Sequence, residues 1–181
     1  MIFGKLIAAA AIATMALAKN DLLEEVTSYG SSWTRGLYSG FQVGYFRANT
    51  TLSKNCLDKD WQKVFVDTLT KDKKKEPFNF AEFAGNSVWL SLAVQNECRF
   101  NSALYQYLNY CLDNTKCSPY TMVETLSGKL FQVSSIAGGL ASFLAADFPT
   151  LDDSEKMIED YATRIGTDLG KILRIANSFS N

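Results

Sequence analysis

The chemistry open to this chain is set by its cysteines and by a residue it lacks. Cys56, Cys98, Cys111 and Cys117 are its four thiols, and histidine is absent from all 181 positions. Without an imidazole there is no Ser-His-Asp or Cys-His nucleophile, no His-dependent phospholipase or ribonuclease chemistry, and no catalytic zinc site of the usual kind. The thiols have no C-x-x-C spacing, so neither a metal nor a cofactor is expected. An even number of cysteines fits two disulfides in an oxidising compartment instead. Catalysis would fall to carboxylates, lysines or tyrosines. A glycan hydrolase, for example, needs two carboxyl groups at a set separation, such as Glu97 and a neighbouring Asp. Glu82, Glu97 and Glu124 each read equally well as helix caps or members of a solvated face. The cluster Asp152, Asp153, Glu155, Glu159 and Asp160 lacks the alternating ligands and glycine of a calcium loop and suits the start of a helix. No catalytic residue and no metal ligand is therefore assigned.

Which thiols pair depends on the elements that hold them. The strong periodicity is helical throughout, and no hairpin signal or internal repeat stands out. A first helix is predicted from Asp21 to about Arg47, with Leu22, Val26, Tyr29, Trp33, Leu37 and Phe41 on one seam. Beside that seam runs a ridge of Gly36, Gly40 and Gly44. Each mid-helix glycine costs about 1 kcal/mol relative to alanine, so a ridge of them implies close approach by another helix. A second helix is expected from Asn55, carrying Leu57, Trp61, Val64, Phe65 and Leu69 and ending in a charged stretch, 71–77, that reads as a solvated loop. A third begins with Asn79 as its cap, Glu82 reaching back to it, and Phe78 stapled against Phe83. After a break near 99–102, Leu104, Tyr107, Leu108 and Cys111 define a fourth, with Tyr105, Tyr107 and Tyr110 as an aromatic edge.

The longest predicted helix runs from Ser118 to Pro149, roughly 40 Å at about 1.5 Å per residue. Ser118 caps it, Pro119 fits its first turn, and Phe148-Pro149 forbids continuation. No charge lies between Lys129 and Asp147. This helix is therefore expected to be shielded from water as the buried axis of the domain. Its large seam is Met122, Leu126, Leu130, Val133, Ala137, Leu140 and Leu144. Opposite lies a small stripe in which Gly128, Gln132, Ser135, Gly139 and Ser142 mark the place for a tight helix contact or an apolar ligand. A last helix, capped by Asp152 with Glu155, carries Ile158, Tyr161, Ile165, Leu169, Ile172, Ala176 and Phe179, and a second close-approach pair, Gly166 and Gly170. The fold class is all-α: a single-domain bundle of about six helices with a long central helix and two disulfides.

These elements rank the cysteine pairings. If 102–112 is helical, Cys98 and Cys111 are more than about 10 Å apart, beyond what a disulfide spans. Cys111 and Cys117 flank a short loop and are expected to clamp the turn before the long helix. Cys56 and Cys98 then tie the start of the second helix to the end of the third.

Residues 1–18 read as a secretory signal peptide, with Lys5 ahead of an apolar run that ends in Ala16-Leu17-Ala18. The helical domain is then 19–181, and the destination is secretion or the secretory-pathway lumen. In that setting Asn49-Thr50-Thr51 is an N-glycosylation acceptor. A formal net charge of −1 argues against nucleic acid, or an anionic membrane, held by overall charge.

The layout resembles small secreted, disulfide-containing helical proteins of ciliates. The resemblance rests on the signal peptide, Gly40-Phe41-Gln42-Val43-Gly44, Cys56-Leu57, the central cysteines, and the run Ile165-Gly166-Thr167-Asp168-Leu169-Gly170-Lys171 continuing to Leu173. It implies a secreted helical bundle and no established activity, so it assigns no functional residues. Saposin-type domains fit poorly, because they carry more cysteines in a shorter chain.

The leading functional expectation is a secreted or lumenal structural or binding protein, not an enzyme. It would act through the surface of a disulfide-stapled bundle toward a protein or glycan partner. One alternative is a carrier of an apolar ligand such as a lipid, or a membrane-active bundle; another is a carboxylate-dependent hydrolase. An apolar void along the small stripe would favour the carrier, and a filled core the surface.

Overall fold

The computed structural model describes residues 20–47, 52–70, 79–113, 115–146 and 148–179. The leader 1–18, Asn49, the stretch 71–77 and Phe78 of the expected staple lie outside the described residues. Among the described residues every regular element is helical, and the expected all-α class holds. In chain order these are α1 (Asn20–Phe41), extended by a π-helical turn (Gln42–Phe46), then α2 (Lys59–Thr70), α3 (Phe80–Cys98) and α4 (Phe100–Asp113). A 3-10 turn (Thr115–Cys117) leads to α5 (Pro119–Gly128), α6 (Leu130–Ala145) and α7 (Glu155–Ala176).

The buried axis is the pair α1 and α7, and two glycine ridges make it. A Cβ at Gly36 would lie 2.7 Å from that of Ala162, and one at Gly40 would lie 2.7 Å from the Thr167 nitrogen. A Cβ at Gly44 would meet the Thr167 carbonyl carbon at 2.9 Å. From the other side, Cβ atoms at Gly166 and Gly170 would press on the backbone of Leu37, Phe41 and Tyr45. Each helix therefore seats its backbone in the groove opened by the other's glycines, which offsets their cost in helix propensity. The π turn at the end of α1 brings Gln42, Gly44, Tyr45 and Phe46 all inward. There Tyr45 and Phe46 pack with Ala103, Tyr107, Leu173 and Phe179. A second core joins Cys56, Leu57 and Cys98 with Trp61, Val94 and Phe100.

The segment predicted as one long helix is two. Lys129 leaves helical geometry (φ −116°, ψ 28°), while its N–H still reaches the Thr125 and Leu126 carbonyls. Gly128, read from the sequence as part of a stripe, is the last residue of α5. Neither helix is the axis: no described residue of α5 or α6 is buried, and Phe131 is 95% exposed. Each touches α7 along one side; near the end of α6, Phe143 and, in the loop beyond it, Phe148 join Trp33 and Tyr161 in an aromatic cluster.

Both disulfides pair as expected, Cys56–Cys98 with Cα atoms 4.8 Å apart and Cys111–Cys117 with 5.2 Å. Asn79 caps α3 by accepting from the Glu82 N–H at 3.3 Å, and Ser118 caps α5 through the Thr121 N–H at 3.3 Å. Elsewhere the start signals move. Leu57 (φ 52°) turns the chain, so α2 begins at Lys59 with Asp58 accepting from the Trp61 N–H at 2.9 Å. Ser154, not Asp152, caps α7 through the Met157 N–H, and Asp153 instead closes a turn by accepting from the Thr150 N–H at 2.7 Å. In α4 the inward side is Ala103 and Tyr107, whereas Leu104 and Leu108 face outward.

Candidate binding grooves

The small stripe holds no enclosed site. Gly128, Gln132, Ser135, Gly139 and Ser142 are all exposed, and a Cβ at Gly128 or Gly139 would meet nothing within 4 Å. The stripe makes neither the tight helix contact nor the apolar void expected of it, because α6 turns this side outward. Gln132 and Ser135 are nevertheless brought to a different feature, an open groove of about 530 Å³ between α6 and α7.

That groove is basic. Arg47 reaches it from the end of α1, Lys129 from the break before α6, and Lys171 and Arg174 from α7. Both linkers matter, since Arg47 sits in a left-handed cap (φ 54°) and Lys129 in the interrupted turn. No carboxylate lines the groove, and Lys171 alone has an acidic partner among the described residues, Asp168 at 3.0 Å. Arg174 is partly buried, and its guanidinium is held below its ordinary pKa by burial first and by the charge of Arg47 second. Sequence reasoning missed these four cations. Lys171 and Arg174 share a helix face by their spacing, but their meeting with Arg47 and Lys129 is a tertiary event.

A second groove, of about 460 Å³, lies over the Cys56–Cys98 staple and brings Glu97 to Asp58 and Asp60 beside Trp61 and Trp89. This is where the hydrolase expectation would have to live. Two of its three carboxylates already hold the fold: Glu97 accepts from the Ser53 hydroxyl at 2.7 Å, and Asp58 caps α2. The Trp61 indole donates to the Leu90 carbonyl at 3.2 Å and stacks on Phe65. The constellation is explained by packing and capping. Glu82 and Glu124 do not line this groove.

The outer helices present large apolar side chains to solvent: Phe80, Val88 and Leu92 on α3, Leu104 and Leu112 on α4, Tyr120 and Val123 on α5, Leu130 and Phe131 on α6. No described helix is long and apolar enough to cross a membrane, and no group of metal-ligating side chains gathers among the described residues. The two disulfides mark an oxidising environment. No protein-family model, curated protein or solved structure matches the chain.

Proposed function

We propose that this chain is a secreted or lumenal binding protein that acts through the outer surface of a disulfide-stapled helical bundle. The observation that carries this reading is the placement of the charge-free segment. α6 lies open on the outside, with Phe131 95% exposed and the small stripe turned to solvent, instead of enclosing a ligand. The α1–α7 pair and the two staples form a scaffold, and α3 to α6 form the presenting layer. Large apolar side chains stand exposed on each of these helices, and apolar surface left to water is what a binding partner covers. The leader at 1–18, the acceptor Asn49 and the resemblance to secreted ciliate proteins agree with export.

Native mass spectrometry of the protein from its own source tests the reading. The expected spectrum begins at Lys19, shows both disulfides and any glycan on Asn49, and carries no small apolar adduct. A stoichiometric apolar ligand that survives purification would overturn it in favour of a carrier, and turnover of a small substrate would overturn it in favour of an enzyme.

A further inference from the structure

We propose that the groove between the end of α1, the start of α6 and the last turns of α7 binds a phosphate-bearing anion. The inference deepens the surface reading above by giving that surface a ligand class. In a chain with 19 acidic residues and a net charge of −1, four cations converge on one groove that no carboxylate lines. Ion pairs are few among the described residues, Arg35 with Glu159 at 3.4 Å being the one outside the groove, so it is the convergence of the cations that sets the groove apart. Here Arg47, Lys129 and Arg174 have no acidic partner among the described residues, and Lys171 shares only Asp168. Like charges held together without a counterion raise the energy of the fold, and an anion that enters removes that cost.

Helix-dipole complementation accounts for Arg47 at the C-terminal end of α1 and for Arg174 in the last turn of α7. Lys129 stands between the C-terminal end of α5 and the N-terminal end of α6, where the two dipole ends oppose each other and give a cation no net gain. Around the cations, the Gln132 amide and the Ser135 hydroxyl supply neutral donors. Guanidinium forks from two different helical elements match the oxygens of a phosphoryl group. At about 530 Å³ the groove is roomier than a bare phosphate requires, which fits a phosphate carried on a larger molecule.

The test uses the full-length oxidised protein, isotope-labelled, titrated with inorganic phosphate, and in parallel mixed with phosphatidylcholine vesicles with and without phosphatidic acid. The expected result is saturable shifts of the amides at 129–135 and 171–178, weakened by added salt. Arg47→Gln and Arg174→Gln should each weaken binding roughly tenfold, and Lys59→Gln, outside the groove, should leave it unchanged. Because Arg174 is partly buried, the exposed Lys129→Gln serves as a second variant; it should weaken binding with an unaltered melting temperature. Phosphate binding without vesicle capture assigns a soluble phosphate ester, and capture by phosphatidic acid that phosphate competes away assigns a lipid headgroup; both support the site. Absence of saturable shifts together with absence of vesicle capture overturns it, as does binding that survives both arginine substitutions. An apolar adduct in the native mass spectrum would remove the surface reading and leave this titration to be judged separately.

Discussion

Single glycines in this chain have opposite consequences according to what a methyl group would meet. At Gly40 an added Cβ would press on the Thr163 and Thr167 backbone, which cannot move aside as a flexible side chain can. Gly40→Ala is therefore expected to cost about 3 kcal/mol. At Gly139 the space is open, and Gly139→Ala should stabilise by about 0.5–1 kcal/mol through helix propensity. Chemical denaturation of the two variants checks the pair; equal signs would contradict the glycine-ridge contact. The ridge was legible in the sequence because three glycines at four-residue spacing on an apolar helix need a reason. The five stripe residues were legible as small, but not as exposed: a small, hydroxyl-rich face loses little by meeting water, so the absence of charge does not demand burial. The four groove cations were not legible at all, since nothing local links Arg47 to Arg174.

Helices and staples divide the labour unequally. The Cys56–Cys98 bridge spans 42 residues of sequence and Cys111–Cys117 spans 6. Chain-entropy reasoning gives about 4 kcal/mol for the first and about 2 kcal/mol for the second. Paired Cys→Ser replacement of the first should accordingly lower the denaturation midpoint more than replacement of the second; the reverse order would contradict the assignment of the long staple to the α2–α3 core. The pairing itself could be read from helix lengths, which keep Cys98 and Cys111 apart. The break at Lys129 could not be read from periodicity, because the seam continues through it. Its local signal was Gly128 followed by a cation, a helix-ending pattern that the longer apolar run masked. The face of α4 was misjudged by one position, because Ala103 and Leu104 compete for the inward side and the crowding of Tyr45, Phe46 and Tyr107 admits the smaller.

Over the whole molecule, aromatic side chains fill what the glycines leave. Tyr29, Tyr38, Tyr45, Tyr110 and Tyr161 all have hydroxyls held above the ordinary 10.0, in each case chiefly by burial. Since the folded-state values are raised, the stability they contribute is fully present below about pH 10 and is lost as pH rises through those values. Urea midpoints should therefore fall above about pH 10, and Tyr45→Phe should lessen the fall; a midpoint that rises there would contradict the buried hydroxyls. The all-α class was open to sequence reasoning because capping and periodicity are local. The choice of axis was not, because it depends on which helices can approach closely. The glycine ridges of α1 and α7 permit that approach, while α6, with more apolar character, remains outside. Amide hydrogen exchange on the isolated protein tests this arrangement most directly. If α1 and α7 are the axis, their amides exchange last, at the rate of global unfolding, and those of 130–145 exchange earlier through local opening. Protection of 130–145 equal to that of α7 would contradict the exposed presenting layer.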